Sequence, residues 1–258
     1  ILLFCALAFS AMADEADQPG FVERFLERSL SDDTRQVRIE GLSGAWRGTA
    51  RLTRLSVSDP SGEWLVIENA ILDWKLTAIL RGDIKITELS AELIDVRRRP
   101  VSETPNRPKA AATPFELPDL PVSISIGQIE TDDLRLGAGV LSNRLSNTRF
   151  SLTGNASLDD GAGSAALEIN RLDNVSGTFD LSVSFDNETR NLDMGVTLAE
   201  DQNGLVATLL RIPETPSLSL NLQGDAPIDA FEANLTLDTA GERRLSGQFL
   251  TRIEAESQ

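Results

Sequence analysis

The side chains that most often carry out chemistry in proteins are scarce in this chain. It has no His and no Tyr among its 258 residues, and its one Cys, Cys5, lies in an apolar run. A Ser-His-Asp triad, a His general base and a zinc site therefore lack their usual residues. No Gly-rich phosphate loop stands between a strand pattern and a helix pattern. We therefore predict a protein that is not an enzyme, with no catalytic residues, no metal site and no cofactor.

Charged side chains are plentiful, but they are not arranged for catalysis. The chain has 40 Asp and Glu against 24 Lys and Arg, a formal net charge of −16. The carboxylates are scattered over predicted turns and solvated strand faces. Binding to nucleic acid needs clustered Lys and Arg, so we predict no nucleic-acid partner. The run Arg97-Arg98-Arg99 could contact lipid headgroup phosphates, although such runs more often mark a charged strand end.

Alternating apolar and polar residues dominate the chain, most clearly from Arg149 to Phe249. Period-two alternation is typical of a strand with one dry face and one solvated face. The blocks recur roughly every 12 to 15 residues and are separated by short polar turns, which predicts a long antiparallel or mixed sheet. Its continuous apolar face must be covered by curling, by a second sheet or by a ligand. Open sheets of this width normally curl.

The first part of the chain predicts export and a capped sheet edge. Residues 1–13 are typical of the end of a secretory signal, because Ala11-Met12-Ala13 forms a cleavage site after a short apolar run. A short uncleaved anchor is the alternative. Residues 14–35 form a helical cap, whose helix over residues 19–30 we expect to cover the first edge of the sheet.

Three further segments complete the predicted organisation. Residues 36–99 form a first β segment, and residues 122–258 form a β-repeat segment that continues beyond the given sequence. Between them, residues 100–121 contain six Pro and predict a surface loop. We expect that loop to dock onto the sheet through Phe115, Leu117 and Leu120.

An ordered set of motifs resembles the N-terminal part of the TamB family, the translocation and assembly module subunits of Gram-negative envelopes. In chain order the motifs are Ile39-Glu40-Gly41-Leu42-Ser43-Gly44, Leu55-Ser56-Val57-Ser58-Asp59-Pro60-Ser61-Gly62-Glu63-Trp64-Leu65, Ala70-Ile71-Leu72-Asp73-Trp74, Leu80-Arg81-Gly82, Ile86-Thr87-Glu88-Leu89-Ser90-Ala91, Arg98-Arg99-Pro100 and Pro114-Phe115-Glu116-Leu117-Pro118-Asp119-Leu120-Pro121-Val122-Ser123-Ile124. The likeness covers most of the chain after the signal.

The resemblance implies membership of the AsmA-like group and a β-taco, a curled sheet around an open apolar groove. It also implies a periplasmic protein, associated with the inner membrane, that moves phospholipid between the inner and outer membranes and supports outer-membrane biogenesis. A TamA-like outer-membrane partner would bind through a C-terminal domain that these 258 residues do not contain. Acyl chains suit an apolar groove, because each buried CH₂ stabilises the complex by about 0.8 kcal/mol.

The residues expected to line the groove are apolar positions on the predicted dry face. They are Leu89, Ala91, Leu93, Ile124, Ile126, Phe179, Leu181, Val183, Phe185, Leu192, Met194, Val196, Leu218, Leu220, Leu222, Leu235 and Leu237. Ordinary core packing explains each of these positions equally well when it is taken alone.

Two alternative functions fit the same alternation. A periplasmic chaperone or assembly factor for outer-membrane β-barrel proteins could hold unfolded strands at an open sheet edge, acting with a TamA-like partner. A self-contained β-sandwich used for adhesion would instead have two stacked sheets and a closed core.

Overall fold

The computed structural model describes residues 21–32, 34–44, 47–79, 81–101, 115–118, 120, 122–142, 145 and 147–251. The predicted signal in residues 1–13 lies outside the described residues, as does most of the predicted loop over residues 100–121. The first residues of the predicted helical cap, 14–20, and the last residues of the β-repeat segment, 252–258, also lie outside them.

The chain is mainly β and forms one open, curled sheet of twelve strands in the described residues. This confirms the predicted mainly β fold class with one long, curled sheet, whereas the apolar groove stays a prediction. In chain order the strands are β1 (Gln36–Glu40), β2 (Thr49–Asp59), β3 (Gly62–Trp74), β4 (Asp83–Val96), β5 (Ser123–Leu136), β6 (Thr148–Asp159), β7 (Ala162–Arg171), β8 (Gly177–Asp186), β9 (Asn191–Glu200), β10 (Leu218–Pro227), β11 (Glu232–Thr239) and β12 (Glu242–Leu250).

Strand order in the sheet follows strand order in the chain, from β1 at one edge to β12 at the other. Neighbouring strands are antiparallel with one exception, the parallel pair of β4 and β5. Antiparallel neighbours need only a tight turn, whereas a parallel pair needs a crossover that returns the chain to the starting end. The segment between Val96 and Ser123, which contains the predicted Pro-rich loop, makes that crossover.

Three short helices accompany the sheet in the described residues: α1 (Phe21–Leu30), α2 (Leu76–Ile79) and α3 (Leu205–Leu209). A 3₁₀ turn, Ile228–Ala230, connects β10 to β11. α1 packs against the edge strand β1, as the amphipathic pattern predicts. α2 is one turn between β3 and β4, while α3 lies in the longer connection between β9 and β10.

Helix α1 satisfies the outward backbone N–H groups of the edge strand β1 and of the residues that follow it. These N–H groups donate hydrogen bonds of 2.7 to 2.9 Å to side-chain oxygens on one side of the helix and on the residue that follows the helix. The pairs are Ser31 Oγ with Val37, Glu27 Oε1 with Ile39, and Glu23 Oε1 with Leu42. An unpaired strand edge is a template for another chain, so α1 closes this edge of the sheet.

Candidate functional site

The apolar side chains of neighbouring strands lie directly opposite one another and form continuous rows across the sheet. Opposed residues in a sheet project to the same side, so each row belongs to one face. We call this side the apolar face, and its central row runs through Ile129, Gly154, Leu167, Leu181, Val196, Leu222 and Leu235. A parallel row runs through Leu152, Ile169, Phe179, Leu198, Leu220 and Leu237.

A further row passes through small residues and extends the apolar face toward the turn between β8 and β9. It runs through Ile126, Ala156, Ala165, Val183, Met194, Gly224 and Ala233. Beside it lie Ile124, Phe185 and Leu192, so the face is apolar over most of the length of each strand. The opposite side carries mainly Ser, Thr, Asn, Asp and Glu and is called the polar face.

Burial differs along the apolar face. Ala91, Phe185 and Leu218 are buried, whereas Leu89 remains 40% exposed. The remaining predicted residues on this face are half-buried: Ile124, Ile126, Phe179, Leu181, Val183, Leu192, Met194, Val196, Leu220, Leu222, Leu235 and Leu237. In a closed core, side chains of this size would be close-packed on all sides.

Leu93 is the one predicted groove residue that the structure places on the other side of the sheet. Its neighbours across β3 and β5 are Glu68 and Asp133, which bind Arg54 and Arg149 on the polar face. The prediction for Leu93 is therefore wrong. The reason is a break in the alternation of β4 and β5. After Ala91 and Thr131, the next residue on the apolar face comes three positions later in each strand, rather than two.

Helix α3 and its connecting loop lie at the end of the apolar face where β9 finishes. The Glu200 side chain occupies an apolar-face position there, and its two carboxylate oxygens accept the N–H groups of Val206 and Ala207 at 2.9 and 2.7 Å. Glu200 is 7% exposed and Ala207 is fully buried. The carboxylate thus fixes α3 against the sheet by satisfying N–H groups that a short helix leaves unpaired.

The segment from Phe115 to Pro118 packs on the apolar face at its opposite end. The Phe115 ring meets the Phe185 ring edge-to-face, with centroids 5.1 Å apart. Leu117 exchanges backbone hydrogen bonds with the Asn187 side-chain amide, and a Cβ at Gly163 would lie 2.9 Å from Leu117 Cδ1. Because Gly163 has no side chain, it leaves room for Leu117. The predicted docking of this segment through Phe115 and Leu117 is therefore observed.

The three arginines after β4 are bound within the molecule. Arg97 donates to Glu63 and Asp95, and Arg98 donates to both carboxylate oxygens of Asp59. Arg99 donates instead to the carbonyl oxygens of Val140 and Leu141. The hydrogen bonds from Arg98, and then from the Val101 N–H, hold the pKa of Asp59 well below its usual range. These contacts fit the structural interpretation of the run, a charged strand end.

Depressions on the polar face have mixed linings. One of about 610 Å³ includes Gln128, Asn155, Ser182 and Gln223 in its lining, together with Leu181. A neighbouring depression of about 510 Å³ shares Ser182 and Gln223 and adds Asn234 and Met194. Both therefore combine polar side chains with atoms of residues from the apolar rows.

Sequence reasoning missed two charged residues on the apolar face, Arg171 and Glu200. Each lies two residues after an apolar-face residue of its own strand, which is Ile169 in β7 and Leu198 in β9. That parity is the signal that could have found them, because a charge on the dry side of a strand needs a partner. Hydropathy alone places both at strand ends.

The described residues contain no group of three or more His, Cys, Asp or Glu side chains placed to hold a metal ion. No helix in this part of the chain is long and apolar enough to cross a membrane.

Comparison with family models, with curated proteins and with solved structures finds no match to this chain. The likeness to the TamB family thus depends on the ordered sequence motifs in residues 39–124.

Proposed function

We propose that this chain is a non-enzymatic protein of the bacterial envelope that holds phospholipid acyl chains against the apolar face of its sheet. In that role it would carry lipid between the inner and outer membranes and support outer-membrane biogenesis, as its resemblance to the TamB family implies. The observation that supports the proposal is the set of apolar rows that run from strand to strand, whose larger side chains remain mostly half-buried.

The energetics of such an apolar face favour a flexible hydrocarbon ligand. Each CH₂ removed from water stabilises the complex by about 0.8 kcal/mol, so an acyl chain lying along the rows needs no directional contacts. Gly154 and Gly224 carry no side chain in two of the rows, and the side chains of Leu167 and Phe231 occupy the space beside them. Placement in the periplasm rests on the signal pattern in residues 1–13, and association with the inner membrane rests on the resemblance to the TamB family.

Paired substitutions at the centre of the apolar face test the proposal. Leu181 and Val196 lie opposite each other on β8 and β9, and Asp at both positions places two charges in the central row. The amount of phospholipid that co-purifies with the chain, quantified by mass spectrometry, should fall by about tenfold or more. A carboxylate in contact with an acyl chain loses its water without gaining a polar partner, which costs free energy. Far-UV circular dichroism should show that the sheet is retained.

A matched variant separates this effect from added charge. Ser182 and Ala199 are exposed polar-face positions on the same two strands, so Asp at both adds equal charge on the other side. This variant should retain its lipid. Equal lipid content in the Leu181/Val196 variant and the wild type would refute binding on the apolar face, and so would equal lipid loss in both variants.

The second candidate function, a chaperone for outer-membrane β-strands, is favoured by the open edge at β12. Every residue of β12 is exposed in the part of the chain that the structure describes, and an extended segment could pair with this strand by β-augmentation. A cross-linker at Gln248 should then capture an unfolded β-barrel client, which mass spectrometry would identify. Capture of clients without bound phospholipid would favour the chaperone over the lipid carrier.

A further inference from the structure

An ion pair at the α3 end of the apolar face retains buried polar atoms without partners. Arg171 Nε lies 2.8 Å from Asp173 Oδ1, and the two side chains are 10% and 21% exposed. Nε and Nη1 of Arg171, and Oδ2 of Asp173, are nevertheless buried without a hydrogen-bond partner. Leaving such groups unpaired costs roughly 1–3 kcal/mol each, more when they are charged. The pair therefore offers both a donor and an acceptor to a ligand.

Other arginines near this end of the sheet already donate hydrogen bonds to carboxylates of the protein. Arg135 and Arg149 both donate to Asp133 on the polar face, and Arg98 donates to Asp59. Each of these guanidinium groups thus has a carboxylate partner. Arg171 differs, because its position opposite Phe150 puts it on the apolar face, in line with Ile169 and Leu167.

The surroundings of Arg171 place its unpaired atoms where the hydrocarbon surface ends. Arg171 Cβ and Cδ lie beside Gly177, at 3.6 and 3.7 Å from where a Cβ would be, so no side chain separates them from β8. Beyond Gly177 is Glu200, whose carboxylate is occupied by the N–H groups of α3. The apolar rows thus end at a polar border formed by Arg171, Asp173 and Glu200.

We infer that the Arg171–Asp173 pair binds the zwitterionic headgroup of a lipid whose acyl chains lie on the apolar face. This inference rests on the proposed function and names the lipid class. The headgroup oxyanion accepts from Nη1 of Arg171, since Nε already faces Asp173 Oδ1, and a neighbouring ammonium donates to Asp173 Oδ2. Because the pair is neutral overall and Glu200 adds a negative charge nearby, an ammonium beside the phosphate suits the site better than a phosphate alone.

Headgroup preference is the property to measure. Short-chain phosphatidylethanolamine, phosphatidylcholine and phosphatidylglycerol with identical acyl chains are titrated into the full chain, and binding is followed by calorimetry. Phosphatidylethanolamine should bind about tenfold more tightly than the other two, because choline has no N–H and glycerol has no cation. The double variant Arg171→Met with Asp173→Asn should bind all three lipids equally, since it removes both charges and leaves neither unpaired.

The matched control is Arg135→Met with Asp133→Asn, a similar pair on the polar face, which should keep the wild-type preference. Two further results separate the inference from the proposed function. Lipid binding without headgroup preference overturns the inference and leaves acyl-chain binding intact, whereas no binding of any lipid overturns the proposed function itself. Tight binding of free glycerophosphoethanolamine, without acyl chains, would also overturn the inference, because the site would then recognise a soluble metabolite.

Discussion

At the scale of single residues, Asp59 connects the end of β2 to the chain after β4. Its carboxylate accepts two hydrogen bonds from Arg98, at 2.8 and 2.5 Å, and one each from the Val101 and Ser61 N–H groups at 2.8 Å. The Arg98 hydrogen bonds are the main cause of its lowered pKa. The folded state therefore prefers the ionised carboxylate, and this gain in stability is present above the unfolded pKa near 3.8.

The sign of the pH dependence follows from that lowered pKa. Stability from Asp59 should be lost as the pH falls below the unfolded pKa toward the folded one, so Asp59→Asn should flatten the decline of Tm between about pH 5 and pH 2. Thermal unfolding across this range measures the effect. Asp160→Asn, at an exposed turn, should leave the acid decline unchanged. An acid decline in the Asp59 variant as steep as in the wild type would contradict the assignment.

Residue alternation predicted the apolar face where the strands are regular, and it misplaced Leu93 where they are not. Leu181 and Val196 belong to strands that pair without a register shift, so parity alone assigns their face. Asn69 lies opposite this part of β4, has a φ of 50° and binds Glu92. At this point the side chains of β3 and β4 no longer alternate strictly between the two faces. Hydropathy cannot show such a change, because Leu93 and Ile94 are both apolar.

At the scale of elements, α1 protects the edge strand because the spacing of side chains along the helix is close to the spacing of alternate residues along the strand. Helix residues four apart are separated by about 6.0 Å, close to the roughly 6.7 Å between alternate residues of a strand. Ser31 and Glu27 can therefore meet the N–H groups of Val37 and Ile39, two residues apart, while Glu23 reaches Leu42 beyond the end of β1. The amphipathic pattern of residues 19–30 predicted a helix at the sheet edge, but the pairing of its carboxylates with backbone N–H groups required the structure.

Removing the central carboxylate should weaken this edge. Glu27→Ala leaves the buried Ile39 N–H without its acceptor, which should reduce the free energy of unfolding by about 1–3 kcal/mol. Amide hydrogen exchange should accelerate at Ile39 and its neighbours in β1. Arg28→Ala, on the exposed side of the same helix, is the control and should change neither quantity. Unchanged exchange at Ile39 in the Glu27 variant would show that the helix does not protect the edge through this contact.

The parallel pairing of β4 and β5 is the element-scale feature that alternation did not reveal. Both strands have the same hydropathy pattern as their antiparallel neighbours, and strand direction leaves no mark on period-two alternation. The Pro-rich stretch after β4 predicted a surface loop, yet only the register shows that the chain returns to the starting end before β5. The twelve strands nevertheless stay in chain order, because each new strand adds at the free edge.

At the scale of the whole molecule, the two edges of the sheet formed by the described residues are unequal. α1 covers β1, whereas β12 is exposed along its length and presents Leu245 and Phe249, at 49% and 53% exposure, on the apolar-face side. An exposed strand with apolar side chains is prone to pair with another chain. The net charge of −16 opposes such pairing through long-range repulsion. Self-association of the chain is therefore a balance between edge pairing and charge.

Salt should shift that balance toward association. Raising the ionic strength from about 0.01 M to 0.15 M shortens the Debye length from about 30 Å to 8 Å, so repulsion between two acidic chains weakens while strand pairing remains. Sedimentation velocity should show a larger associated fraction at the higher salt, and Leu245→Lys with Phe249→Lys should reduce it. Ser246→Lys with Gln248→Lys lowers the net negative charge equally on the polar face of β12 and should not reduce association. Equal reduction by both variants would mean that the added charge, rather than the apolar side of β12, controls association; a fraction independent of salt would show that repulsion does not limit it.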